Sequence, residues 1–200
     1  RPLDKPRLTF TIEGYDIENR GAEPLVLQPF STIHDSRYMM YWLNVDHKKW
    51  HRMQAESKAR EDSIQALEAR TVDYIITGTQ QSEADHFMKQ ENTRHGSFND
   101  EYYRRAEDGF FVYSMNPGAE NDDTPKALML RYWGGDRGTV TVDIDGQTVC
   151  TLDAKGGKEG FVNVEYPIDG ALLKGKKRVD VRLSSDGKGL SVYYVRITKK

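Results

Sequence analysis

Trp133 closes an alternating run and is followed by Gly134-Gly135-Asp136-Arg137-Gly138. An aromatic face beside a carboxylate and a guanidinium can stack on an apolar ring face and hydrogen-bond the hydroxyls around its rim, which is the chemistry that binds a sugar. Tyr102 and Tyr103, followed by Arg104 and Arg105, assemble the same residue types. The competing role for Trp133 is packing, with Asp136 and Arg137 bracing the turn, and the brace is the expectation. Asp85, His86, Glu91 and His95 come nearest to a metal cluster, but their spacing fits no zinc signature and offers few carboxylates for a hard cation. Hydrogen bonding that holds the surrounding segment is their expected role. Asp122 and Asp123, in the loop 118–125, have the chemistry to help fix a structural calcium ion, against the plainer reading of a solvated acidic turn. No other cofactor is implied.

Nothing in the chain selects a catalytic group. Glycoside hydrolysis needs a carboxylic acid of raised pKa and a second carboxylate about 5–10 Å away. With 31 acidic residues some pair will meet that spacing by chance. Ser36 near His34 and Ser97 near His95 lack the glycine-framed turn that exposes a nucleophilic serine. No catalytic residue is assigned.

The elements that must position these residues are mostly strands. Val140, Val142 and Ile144 alternate with Thr139, Thr141 and Asp143, so this strand has one apolar and one wet face. The preceding strand puts Leu128, Leu130 and Tyr132 on one side and Met129, Arg131 and Trp133 on the other. That second side is only partly polar, which leaves room for a ligand or another segment to cover it. Strand signals recur at 72–77, 109–115, 126–133, 138–144, 147–152, 161–166, 177–184 and 190–198, separated by Gly- and Pro-rich turns, with one helical turn expected within 167–175. Roughly eight strands at this spacing predict an all-β, jelly-roll-like two-sheet β-sandwich over residues 71–200. Tyr193 and Tyr194 point to opposite faces of their strand, so at least one is core.

Ahead of the sandwich, residues 7–12, 24–30 and 36–45 read as short strands, too few for an independent sheet. Residues 1–45 are therefore expected to be the tail of a larger β unit or a flap. Asp46 can cap a helix, and Trp50, Met53, Ser57, Ile64 and Leu67 follow at helical spacing, so 46–70 reads as an amphipathic helical connector docked on one surface. The stretch 80–105 is polar and weakly periodic, and reads as an irregular connection.

Composition narrows the function. Lys and Arg total 29 against 31 Asp and Glu in 200 residues, a formal charge of -2, so no basic field points to nucleic acid. No apolar run approaches the ~20 residues that span a bilayer, and residues 1–6 lack the apolar centre of a signal peptide. The chain does not open on Met, which fits a processed or excised piece, so this bears on the piece alone. One cysteine, Cys150, excludes an internal disulfide.

Four blocks, taken in order, carry a family likeness. They are Pro29-Phe30 with Ile33-His34-Asp35-Ser36-Arg37-Tyr38-Met39-Met40-Tyr41-Trp42; Asp85-His86-Phe87 with Glu91-Asn92; Tyr132-Trp133-Gly134-Gly135-Asp136-Arg137-Gly138; and Val192-Tyr193-Tyr194-Val195-Arg196. Together they resemble the C-terminal β region of beta-L-arabinofuranosidase-like, family 127-type glycoside hydrolases. In that family a helical α/α barrel carries catalysis and β-sandwich modules follow it; its members are mostly bacterial and often exported to degrade plant glycans. The family's zinc-bound cysteine cluster cannot come from Cys150 alone, and one helix cannot build the barrel.

The resemblance implies a non-catalytic accessory module whose enzyme lies outside this chain. It also implies a periplasmic or extracellular location. On that reading Trp42, Tyr38 and the helix stripe help to dock the module on the parent's catalytic domain. The alternative is a carbohydrate-binding module that grips arabinose-containing oligosaccharides or polysaccharides through loop aromatics. Neither nucleic acid nor a membrane is an expected partner.

Overall fold

The computed structural model describes residues 10–12, 25–27 and 45–200. It divides into two compact units, residues 1–51 and 52–200. In the first, β1 (Phe10–Ile12) pairs antiparallel with β2 (Leu25–Leu27), with Thr11 opposite Val26. These lie within the first two runs marked by the sequence. The third run, with Tyr38 and Trp42, lies outside the described residues apart from Val45, which is not in a strand.

Helix α1 (His47–Arg70) begins where the sequence places it. The Asp46 carboxylate accepts from the Lys49 N–H at 2.8 Å, satisfying one of the donors that a helix start leaves free. Arg70, favourably placed at the negative end of the helix, pairs with Glu165. Among the described residues nothing covers the expected stripe: no α1 residue is buried, and Trp50 and Ile64 are 46% and 47% exposed. A stripe this narrow, interrupted by Ser57, offers little apolar area to hold a helix face down.

The second unit is the expected sandwich. Its strands are β3 (Thr71–Ile76), β4 (Lys89–Phe98), β5 (Glu101–Met115), β6 (Lys126–Trp133), β7 (Arg137–Ile144), β8 (Gln147–Lys155), β9 (Phe161–Ile168), β10 (Val179–Lys188) and β11 (Val192–Lys199). Hydrogen bonding links them into one antiparallel nine-stranded sheet that folds over into two layers. One layer runs β8-β7-β10-β5-β4 and the other β3-β11-β6-β9, joined by a single pairing of Val192 with Arg104. Their inner faces meet in the core. Phe111, Tyr113, Val142, Ile144, Val181 and Leu183 come from the first layer, and Ile75, Leu128, Leu130, Val195 and Ile197 from the second. Each set alternates with outward residues, as a period of two requires. Pro167 sits in β9, an edge strand, where its missing N–H costs no ladder bond. The expected helical turn is a 3-10 turn, Gly170–Leu172, capped by Asp169, whose carboxylate accepts from the Ala171 N–H at 2.9 Å.

The irregular connection over 80–105 is replaced by regular structure: a short helix, α2 (Gln80–Asp85), then β4, then the start of β5. β4 is an edge strand paired only with β5, and it is largely solvent-exposed, so it carries no apolar alternation to read. The sheet therefore has nine strands instead of about eight. Asn99 and Asp100, both at positive φ (47° and 61°), make the two-residue hairpin turn between β4 and β5.

Candidate functional site

The β6–β7 turn is pinned from two sides. The Asp136 N–H donates to Trp133 O at 2.9 Å, closing the turn. The Gly134 N–H donates to Gly160 O at 2.8 Å, and the Gly134 carbonyl oxygen accepts from the Lys158 N–H at 3.1 Å, tying the turn to the β8–β9 loop. The indole of Trp133 folds back over the turn so closely that a Cβ on Gly135 would lie 2.6 Å from Nε1. The indole is half-buried, edge-on to Phe98 at 5.0 Å and to Phe161 at 5.1 Å. Phe161 in turn meets Tyr193 at 4.8 Å, and Tyr193 meets Tyr103 at 5.7 Å. Tyr193 is 3% exposed, and burial, with the negative charge of Asp136, pushes its hydroxyl well above the usual tyrosine range.

From Phe161 the aromatic contact continues along the outer face of the β3-β11-β6-β9 layer. β6 sends Leu128 and Leu130 into the core and turns Met129, Arg131 and Trp133 outward. The register then sets Arg131 opposite both Tyr194 and Asn163, and Arg196 opposite both Tyr74 and Met129. The Arg131 guanidinium lies 4.3 Å from the Phe161 ring centre and 5.7 Å from that of Tyr194. That of Arg196 lies 4.9 Å from Tyr194 and 4.5 Å from Tyr74. The result is a continuous line, Tyr74-Arg196-Tyr194-Arg131-Phe161-Trp133-Phe98, held by cation–π contacts from Tyr74 to Phe161 and by edge-on ring contacts from there to Phe98. Glu101 grips Arg131 with two bonds, at 2.8 and 2.7 Å, and Asn163 accepts from the same guanidinium at 3.2 Å. The line ends in exposed rings: Tyr74 is 46% and Phe98 44% exposed. Such a surface offers rigid ring faces with carboxylate, amide and guanidinium groups beside them. It is suited to stacking and hydrogen bonding.

A second constellation lies inside. Glu83 of α2 and Arg104 of β5 form a two-point ion pair at 2.6 and 2.7 Å, each side chain 5% exposed. Tyr113 Oη and Gly78 N–H also donate to Glu83, at 2.7 and 2.8 Å, and Arg104 donates to Thr93 at 2.7 Å and to Gln90. Burial opposes ionisation of Glu83, but the bonds from Arg104, Gly78 and Tyr113 outweigh it and hold the carboxyl below its ordinary value. The pair floors an open cleft of about 660 Å³ with Phe87, Met88, Lys89 and His95 on its walls. Both Glu83 oxygens already have protein donors, so the arrangement is a lock that fastens α2 to the sheet.

The other candidates separate. Trp133, Asp136 and Tyr103 share the aromatic end of the sandwich, whereas Arg137 is exposed and lies along Gly156. Tyr102, one position out of phase with Tyr103 on β5, is 53% exposed. Asp122 accepts from Thr124 N–H at 3.1 Å, and the ammonium groups of Lys199 and Lys126 approach it at 3.2 and 3.5 Å. Those Thr124 bonds and the two lysines hold its carboxyl well below the usual range. Asp123 is exposed, with Lys174 at 3.9 Å. His86 is held by Ser82 O at 2.7 Å and Asp73 at 3.2 Å, and Asp85 accepts from Gln81 at 2.8 Å. Glu91 and His95 stand exposed on β4. Among the described residues no three His, Cys, Asp or Glu side chains come together as a metal would need. Ser97 is exposed, and Ser36 and His34 lie outside the described residues. Cys150 is buried in β8, and burial with the charge of Asp143 pushes its thiol up to about 12. No helix among the described residues is long and apolar enough to cross a membrane.

Phe98, Phe161, Tyr74, Tyr194, Arg131 and Arg196 are the surface residues that reading the sequence did not assemble. Its one pointer was the half-polar side of β6. Arg104, which the sequence grouped with Tyr102, Tyr103 and Arg105 as sugar-binding types, is instead buried against Glu83, and Glu83 left no sequence signal.

Residues 66–198 match the model of a family of unknown function (DUF6805), and residues 1–44 that of a domain of unknown function (DUF4986). A comparison with curated proteins finds no match. Among solved structures, a family 35 carbohydrate-binding module from Clostridium thermocellum is similar at 14% identity, covering 64% of this chain and 98% of that one, with a TM-score of 0.41. A carbohydrate-binding module of Cellvibrio mixtus lichenase 5A, in complex with cellotriose, shares 14% identity over 65% of this chain and 98% of that one, TM-score 0.43. Part of an exo-beta-1,3-galactanase from Phanerochaete chrysosporium shares 11% identity, covering 64% of this chain and 29% of that one, TM-score 0.44. Through residues 66–198, the chain belongs to the family of unknown function DUF6805.

Proposed function

We propose that the sandwich is a non-catalytic carbohydrate-binding module, and that its binding surface is the outer face of the β3-β11-β6-β9 layer with Phe98, at the tip of the β4–β5 hairpin, closing one end. The observation that carries this reading is the aromatic and guanidinium line from Tyr74 to Phe98. The fold leaves its two end rings open, with Glu101 and Asn163 bonded to Arg131 and Glu165 opposite Met129 beside it. Three strand spacings of ~4.8 Å give the face a width of about 14 Å, enough for an extended oligosaccharide. Apolar sugar faces would stack on the rings, and hydroxyls would bond the flanking carboxylates, amide and guanidinium groups.

The family 127-type resemblance supports a role as an accessory part of a longer exported chain whose own catalytic domain degrades arabinose-containing plant glycans. The exposed Trp50 and Ile64 on α1 favour a companion role for that helix, docking on the catalytic domain. Calorimetric titration with arabino-oligosaccharides and pectic oligosaccharides tests the binding role. Saturable binding is expected, weakened by Tyr74→Ala and by Phe98→Ala. No heat at millimolar ligand would overturn it. The chain alone is expected to release no product from aryl arabinofuranosides.

A further inference from the structure

His47 and His51 lie one turn apart at the start of α1, and their Nε2 atoms face each other at 3.1 Å with ring centres 4.2 Å apart. Both rings are exposed. We propose that this pair is a binding site for a borderline transition-metal ion, Cu²⁺, Ni²⁺ or Zn²⁺, which clips the first turn of the helix.

The geometry is that of a two-point chelate. With metal–nitrogen bonds of about 2.0–2.1 Å, two nitrogens 3.1 Å apart subtend about 98° at the metal. That angle lies between octahedral and tetrahedral values, so either coordination is reached with little side-chain movement. Imidazole suits these three ions, and among them Cu²⁺ is expected to bind tightest. Among the described residues no third His, Cys, Asp or Glu joins the pair, so on the pair alone the ion keeps positions open to water or a further ligand.

The site also has something to act on. No α1 residue is buried, and among the described residues the first turn is held by local bonds such as the Asp46 cap. Helices held only by local bonds are marginal in water. An ion that bridges positions one turn apart binds the helical form in preference to the frayed one and stabilises it by mass action. The helix also joins the segments matched by two different family models, residues 1–44 and 66–198. Metal occupancy therefore stiffens the connector between them.

Trp50, in the same turn, supplies a readout, because bound Cu²⁺ quenches a nearby indole. The full chain is titrated with CuCl₂, NiCl₂ and ZnCl₂, followed by calorimetry, tryptophan fluorescence and far-UV circular dichroism. The expected result is one-to-one binding, quenching by Cu²⁺, and a rise in helical signal with Zn²⁺. His47→Ala and His51→Ala are each expected to weaken binding about tenfold or more, whereas His95→Ala leaves it unchanged. Alanine is the better helix former, so loss of the metal response in these variants cannot come from a melted helix. Unchanged affinity in both variants, or no saturable binding by the wild-type chain, would overturn the site. A helical signal indifferent to saturating Zn²⁺ would overturn the clip.

Discussion

Replacing Glu83 by alanine should be among the most damaging single changes in the sandwich. The substitution strands the Arg104 guanidinium in the protein interior and takes the acceptor from Tyr113 Oη and Gly78 N–H at once. Removing one partner of a buried ion pair costs about 3–5 kcal/mol. A domain of this size has about 5–15 kcal/mol in total, so the loss takes from about a fifth to the whole of it. Urea unfolding at neutral pH, followed by tyrosine and tryptophan fluorescence, should show a lower midpoint at unchanged slope. Glu83→Leu combined with Arg104→Met should cost much less than the sum of the single changes, because neither charge is then left alone. Strictly additive losses, or a Glu83→Ala penalty below about 1 kcal/mol, would refute the lock.

The same group sets a pH dependence. The Glu83 carboxyl is held below its ordinary value of 4.5 in the folded protein, so its contribution is complete above that value and is lost as pH falls towards the lower folded value. Glu83→Gln should be less stable than wild type at neutral pH, and the gap should narrow in acid. A gap that is constant with pH would contradict this assignment.

Gly135→Ala should loosen the β6–β7 turn, since the new methyl would lie 2.6 Å from Trp133 Nε1; a loss of about 1–3 kcal/mol and an altered indole fluorescence are expected. Cys150 should resist thiol reagents in the native state and react fully in denaturant, because it is 7% exposed and its thiol is pushed up to about 12; fast native labelling would argue against its place in the core.

The strands that sequence reading found are those with one apolar face, such as Val140-Val142-Ile144 against Thr139-Thr141-Asp143. β4 escaped because an edge strand exposed along nearly its whole length needs no apolar alternation, and the Asn99-Asp100 turn was its only local mark. The mixed character of Met129, Arg131 and Trp133 already showed that the outer side of β6 is unusual. What that side faces could not be read, because Tyr74, Phe161 and Tyr194 reach it through pairings between distant strands. Asp136 and Arg137 were read as bracing the turn at Trp133; the bonds seen there are backbone ones, from the Asp136 N–H to Trp133 O and between Gly134 and the β8–β9 loop, and Arg137 lies along Gly156. The Glu83–Arg104 pair was invisible for a different reason: α2 has six residues, too few for a periodic signal.

The most direct test of the proposed binding surface is the affinity of the intact chain for arabino-oligosaccharides before and after Tyr74→Ala and Phe98→Ala, the two ends of the outer line. Both rings are substantially exposed, so neither change should disturb folding. Each lost stacking contact is worth about 0.5–1.5 kcal/mol, which corresponds to a weakening of about two- to twelvefold per substitution and more for the pair. Binding that both substitutions leave intact would place the sugar elsewhere on the module and contradict the account.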